Sequence, residues 1–247
     1  MLPVADIFSA YTASDAFGKG IVLIQLVASV GAMAYAIGHW LNLKRDEMLT
    51  RGFRRYFAKT RSVVDYYFTH TKGRNPIVAI YFPATERLLG EIAAQTGGMP
   101  QRASEAAGRQ VPQSAFDLVK GVAEEALAVQ NHRAENGMNY LGAVTTLAPF
   151  LGLLGTVLGV MGAFQDMGGQ GAVNLGTVAP YLSTAMLTTV VGLVVAIPSI
   201  IGYNVLARKI GELQIQFDGF TDEYLGRVRS EFCEGAAAGG APRAAEP

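Results

Sequence analysis

Three long uncharged runs divide the chain. From Gly20 to Leu43 there is no Asp, Glu, Lys or Arg, and the same holds between Glu135 and Asp166 and between Asp166 and Arg208. About 20 apolar residues in a helix cross the roughly 30 Å hydrocarbon core of a bilayer. Spans are therefore expected at 18–43, 138–165 and 179–206. Elsewhere the pattern predicts helices at about 44–71, 77–96 and 113–135, punctuated by Pro76, Pro83, Gly97, Gly98, Pro100 and Pro112. The last helix spaces Phe116, Val119, Ala123 and Leu127 on one face and is expected to run on into the second span. Gly97–Gln110 reads as a loop, and the connector 166–178 is Gly-rich and polar. Residues 1–17 suit an amphipathic segment on a membrane surface, and the low-complexity tail 234–247 reads as disordered.

Composition agrees. Of 247 residues, 50% are hydrophobic and 16% charged, outside the ordinary range of a soluble domain. The formal net charge is zero, which removes any global argument for nucleic acid. The charges are segregated. "LKRDEMLTRGFRRYFAKTR" follows the first span directly, and Arg208 and Lys209 follow the third. By the positive-inside rule both mark the cytoplasmic side, which gives an N-out, C-in topology. The cytoplasmic part is then 44–137 plus a helix at 207–233. Trp40 and His39 end the first span at headgroup level. A cleaved signal peptide is the weaker reading of that span, because the segment ahead of it is acidic. The lone Cys233 excludes an intrachain disulfide, and His39, His70 and His132 lack metal-ligand spacing. No nucleotide-binding or metalloprotease motif occurs. No catalytic residue, metal or cofactor is expected, and the chain does not read as an enzyme.

The second span, "APFLGLLGTVLGVMGAF", is unusual. Gly152, Gly155, Gly159 and Gly162 continue the spacing of Thr145 and Ala148 and form one stripe of small residues. Small residues let membrane helices approach closely. The stripe suits a contact within the chain or between subunits, and spacing alone does not separate them. Thr156 lies about 100° round the helix from it, on a stripe with Thr146. The third span carries Ser183, Thr184, Thr188 and Thr189 within two turns. Counted from the outer ends at about 164 and 179, Thr156 and Thr189 fall at similar depth. Such hydroxyls either bond the carbonyl four residues earlier in their own helix or line a polar interior. Protons crossing a membrane usually need a titratable relay. Neither span offers one, so an acid would have to come from another chain.

"APFLGLLGTVLGVMGAF" together with "VAPYLSTAMLTTVVGLVVAIPSIIGYNVLARKI" resembles the ExbB/TolQ/MotA proton-channel family, and within it the ExbB and TolQ branch. The match is specific over about Tyr140–Ile210. The resemblance implies an all-α polytopic membrane protein with long helices reaching into a cytoplasmic domain. It implies a ring-forming homo-oligomer, a pentamer, in the bacterial inner membrane. It implies a single-span ExbD/TolR-type partner whose transmembrane Asp carries protons, with force passed to TonB-type, Tol–Pal or gliding machinery. It puts Thr156 and Thr189 on the family's pore threonines. One position departs: where ExbB and TolQ usually carry Glu, this chain has Thr184.

The expected pore or proton-pathway residues are thus Thr156, Thr189, Thr184, Thr188 and Thr146, and the helix-packing residues Gly152, Gly155, Gly159 and Gly162. The expected partners are copies of the chain, the ExbD/TolR-type protein, lipid and protons, with no nucleic acid. The rival function is a non-conducting membrane scaffold.

Overall fold

Seven helices make up the described residues of the computed structural model, which are 16–71, 73–170 and 175–233. They are α1 (Ala16–Phe57), α2 (Asp65–Thr69), α3 (Pro76–Thr96), α4 (Ala103–Ala106), α5 (Gln113–Glu135), α6 (Met138–Gln170) and α7 (Leu175–Phe232). No strand occurs among the described residues. Most of the expected amphipathic segment, part of the 166–178 connector and the whole of the tail 234–247 lie outside them. Among the described residues, three helical stretches are long and apolar enough to cross a membrane: Phe17–Phe57 in α1, Gln113–Gln165 taking in α5 and most of α6, and Val178–Phe232 in α7.

The chain divides into two units. The first contains α1 up to Leu41 and residues Gly137–Arg208. Here α1 packs on both α6 and α7. Tyr140 Oη donates to Ala28 O at 3.3 Å, and a β-carbon on Gly202 would stand 3.6 Å from Ala36 Cβ. The outward faces are apolar: Val30 is 71% exposed, and Phe150, Val157, Met186, Val194 and Ile201 are exposed as well. In water such a surface would be an association hazard. Against lipid it is the natural solvent-facing surface.

The second unit holds Asn42–Asn136 and the chain from Lys209. Its centre is aromatic, with Phe57, Tyr81, Phe220 and Tyr224 all buried. Tyr81 Oη donates to Val63 O at 2.7 Å, and Tyr224 Oη lies 3.1 Å from Thr85 Oγ1. Helix α3, packed on α5, shows why its sequence starts and stops where it does. Asn75 Oδ1 accepts from Ile77 N at 3.0 Å, Pro76 takes the first helical position, and Gly97 closes the helix at φ 77°.

Two local expectations are corrected. The helix predicted over 44–71 is interrupted: α1 ends at Phe57 and α2 begins at Asp65. The interval contains neither Gly nor Pro. Tertiary bonds decide it: Arg227 donates to Phe57 O at 2.8 Å, and Val63 N donates to Glu231 Oε2 at 2.9 Å. The predicted continuity of 113–135 with the second span is also broken. Gly137 has φ 81°, a conformation that a residue with a side chain rarely adopts. A β-carbon there would meet the Tyr35 ring at 2.6 Å.

Candidate functional site

The site lies where α6 and α7 touch inside the first unit. Moving down the numbering of α6 moves up that of α7. A β-carbon on Gly159 would reach Ala185 Cβ at 2.7 Å, one on Gly155 would reach Thr188 Cβ at 2.7 Å, and one on Gly152 would reach Thr189 Cα at 2.9 Å. The helices are therefore antiparallel. Real β-carbons do not come this close, so glycine at these three positions sets the separation. Gly162 differs, since its nearest neighbour, Tyr181 Cδ1, would be 3.7 Å away. The face that could have served a subunit contact is occupied by the chain's own α7 at Gly152, Gly155 and Gly159.

That approach brings three hydroxyls onto two carbonyls. Thr156 Oγ1 contacts Thr189 Oγ1 directly. It also lies 3.1 Å from Ala185 O and 3.2 Å from Gly152 O. Thr189 Oγ1 donates to Gly152 O at 3.0 Å. Thr188 Oγ1 lies 2.8 Å from Ala185 O and 3.3 Å from Gly152 O. Thr188 is buried, whereas Thr156 and Thr189 are half-buried. Each hydroxyl has one hydrogen and can accept as well as donate. The cluster can therefore hydrogen-bond either a neutral acid or a carboxylate placed beside it.

The other predicted hydroxyls sit differently. Thr184 is buried one turn before Thr188. Thr146 is exposed and donates to Gly142 O of its own helix at 3.1 Å. It stands ten residues, about 15 Å along the helix, from Thr156 and outside the cluster.

Sequence reasoning passed over Gln25, which is 0% exposed. Its Nε2 donates to Ala148 O at 3.1 Å, and its Oε1 is buried without a hydrogen-bond partner. A β-carbon on Gly192 would lie 2.7 Å from Ala148 O and 3.0 Å from Gln25 Nε2. One side chain thus joins α1, α6 and α7 one turn from Gly152. The available signal was an amide inside an otherwise apolar run.

In the second unit, an ionic knot joins α1 to α7. Lys209 Nζ lies 2.7 Å from Glu47 Oε2 and 3.0 Å from Glu212 Oε2, and Arg51 also pairs with Glu47. The Lys209 hydrogen bond holds the Glu47 carboxyl below the usual carboxylate range, against the opposing effect of burial. The same bonds raise Lys209 above its ordinary value.

Three apolar helices with lipid-suited faces define a multi-pass helical membrane protein. Residues 97–219 match the MotA/TolQ/ExbB proton channel family, and through this region the chain belongs to that family, on its ExbB and TolQ side. It is 31% identical over 116 residues to the Tol-Pal system protein TolQ of Haemophilus influenzae, covering 46% of this chain and 51% of that protein. It is 40% identical over 88 residues to the biopolymer transport protein ExbB of Salmonella typhimurium, 36% of each. With ExbB of Xanthomonas campestris pv. campestris the identity is 32% over 132 residues, 53% of this chain and 52% of that one. The matched regions span about half, or less, of these relatives' lengths.

Proposed function

We propose that the chain is a ring subunit of a proton-motive-force-driven motor in the bacterial inner membrane. Its spans are 18–43, 138–165 and 179–206, oriented N-out and C-in, with 44–137 and 207–233 in the cytoplasm. Copies form a ring, a pentamer, around an ExbD/TolR-type single-span partner, and force passes to TonB-type, Tol–Pal or gliding machinery. The observation that carries this reading is the half-buried Thr156–Thr189 pair, at the meeting of two spans that contribute no acid. The partner's transmembrane Asp supplies the titrating group. The hydroxyls bond it in both protonation states while Asp exchanges its proton. Thr184 and Thr188 support the pair from the same helix, and Thr146 lies along the same pathway about 15 Å away.

The test is proton flux. The chain is co-reconstituted with an ExbD/TolR-type partner into vesicles carrying a pH gradient. Thr156→Val and Thr189→Val are expected to assemble with the partner and to lose the partner-dependent flux. Full flux in both variants would sink the proposal. One observation favours the rival, a non-conducting scaffold: every hydroxyl of the cluster already has a carbonyl of its own two helices within reach. The scaffold predicts intact envelope function in both valine variants and after the proton gradient is collapsed.

A further inference from the structure

Two exposed stripes in the second unit carry opposite charge and, among the described residues, no ion-pair partner. On α1 the stripe is Met48, Arg55 and Lys59; on α7 it is Ile215, Asp218 and Asp222. Lys59 lies in the turn that closes α1. The spacings of seven and four, and of three and four, keep each set on one helix face. Met48 and Ile215 are each 72% exposed, although both lie beyond the uncharged runs. Neither stripe is used in the chain's own packing, which takes other faces: Glu47 with Lys209, and Phe57 against Phe220 and Tyr224.

Those internal contacts also fix the register. Counting from them, α1 and α7 run the same way through this unit. Met48 stands within about two turns of the level of Ile215, and Arg55 and Lys59 stand level with Asp218 and Asp222 to within about a turn. Each stripe thus begins with an apolar side chain and continues with two charges, cationic on one helix and anionic on the other.

We infer that these stripes are the two halves of a head-to-tail contact between neighbouring copies, the α1 face of one copy meeting the α7 face of the next. This rests on the reading of several copies side by side in one membrane. Copies that share a membrane share their up–down direction and their depth. Only surfaces at the same level can meet, and these do. Two different faces make the contact heterologous, which closes into a ring when the rotation allows. Lipid headgroups are the weaker occupant. Arg55 lies twelve residues beyond Leu43 along α1, about 18 Å, against a screening length of about 8 Å at physiological ionic strength. Met48 and Ile215 supply the apolar part of the contact, and the charges fix partner and register.

The experiment uses the full chain with charge reversals on one face at a time. Arg55→Glu with Lys59→Glu makes both faces acidic; Asp218→Lys with Asp222→Lys makes both basic. Multimers are measured by crosslinking in membranes at low salt, with circular dichroism as the folding control. Each double variant alone is expected to lose multimer by about tenfold or more through like-charge repulsion. The two variants co-expressed under different tags are expected to co-purify with each other, which pairing within a chain would not produce. All four reversals in one chain are expected to restore multimers. Wild-type multimers with unaffected double variants would overturn the contact while leaving the ring standing. A monomeric wild-type chain would overturn both.

Discussion

Gly155 faces Thr188 so closely that a β-carbon on the glycine would overlap the threonine hydroxyl and stand 2.7 Å from Thr188 Cβ. Thr188 is 1% exposed and β-branched, so it has little room and few rotamers with which to yield. Two effects oppose each other at this position. Alanine would gain about 1 kcal/mol of helix propensity over glycine. Overpacking a tight contact costs about 1–3 kcal/mol. Gly155→Ala is expected to destabilise, and Gly152→Ala more so, because its neighbour is the backbone Cα of Thr189. Gly162→Ala, with 3.7 Å to spare, is expected to be neutral or slightly stabilising. Thermal unfolding in detergent orders the three, and equal midpoints would refute the packing argument.

Thr156→Ser keeps the hydroxyl, whereas Thr156→Val keeps the shape. If the hydroxyl is what matters, the serine variant retains partner-dependent proton flux and the valine variant loses it. A serine variant as inactive as valine would point to the methyl group and to packing instead.

Gln25 gives a prediction of unusual sign. Its Nε2 makes one bond to a helix carbonyl, while its Oε1 is buried with no donor. A neutral hydrogen bond contributes about 0.5–1.5 kcal/mol, and an unsatisfied buried acceptor costs about 1–3 kcal/mol. Gln25→Met has similar volume and removes both terms. Its melting temperature in detergent is expected to match or exceed that of the parent. Gln25→Glu would bury a carboxyl in the same place and is expected to lower it. A large loss with Met would mean that the orphaned oxygen has a donor after all.

The Glu47–Lys209 pair sets a pH window. The Glu47 carboxyl is lowered in the fold, so its contribution is present above its unfolded pKa and is lost as pH falls through the folded value. Lys209 is raised, so its contribution is present below its unfolded pKa and is lost as pH rises through the folded value. Burial also raises Tyr81 and Tyr224, so the unfolded chain releases those protons first and stability falls above about pH 10. Glu47→Gln should cost up to about 1 kcal/mol at neutral pH and low salt. It should also flatten the acid side of the stability curve and weaken the Lys209 part of the alkaline side, leaving the Tyr81 and Tyr224 part in place. Urea titrations across pH check both limbs.

Much of this architecture can be read from residue order. Uncharged runs mark the spans, because lipid leaves the backbone only itself to bond. The level placement of Thr156 and Thr189 followed from counting inward along two helices, and the contact between them has that register. The three-and-four spacing of the glycines identified a close-packing face but not its occupant, because α7 and a neighbouring subunit offer similar surfaces. The break after Phe57 had no local signal. It is made by Arg227 and Glu231, about 170 residues away in the chain. Gly137 was visible as a glycine, but nothing local announces its left-handed turn or the Tyr35 ring that fills the space beside it. Gln25 carries no formal charge, so the uncharged run that contains it does not single it out.

The sharing of Gly152 O by three threonine hydroxyls has a thermodynamic consequence. The oxygen positions are set by two helices, but they do not dictate which hydroxyl points at which acceptor. Several hydrogen arrangements satisfy the same heavy-atom frame, much as hydrogens are disordered over the fixed oxygen lattice of ice. Passing between them needs only rotation about a C–O bond. The cluster can therefore reverse its local dipole when a charge arrives beside it, while the helices that hold it stay where they are.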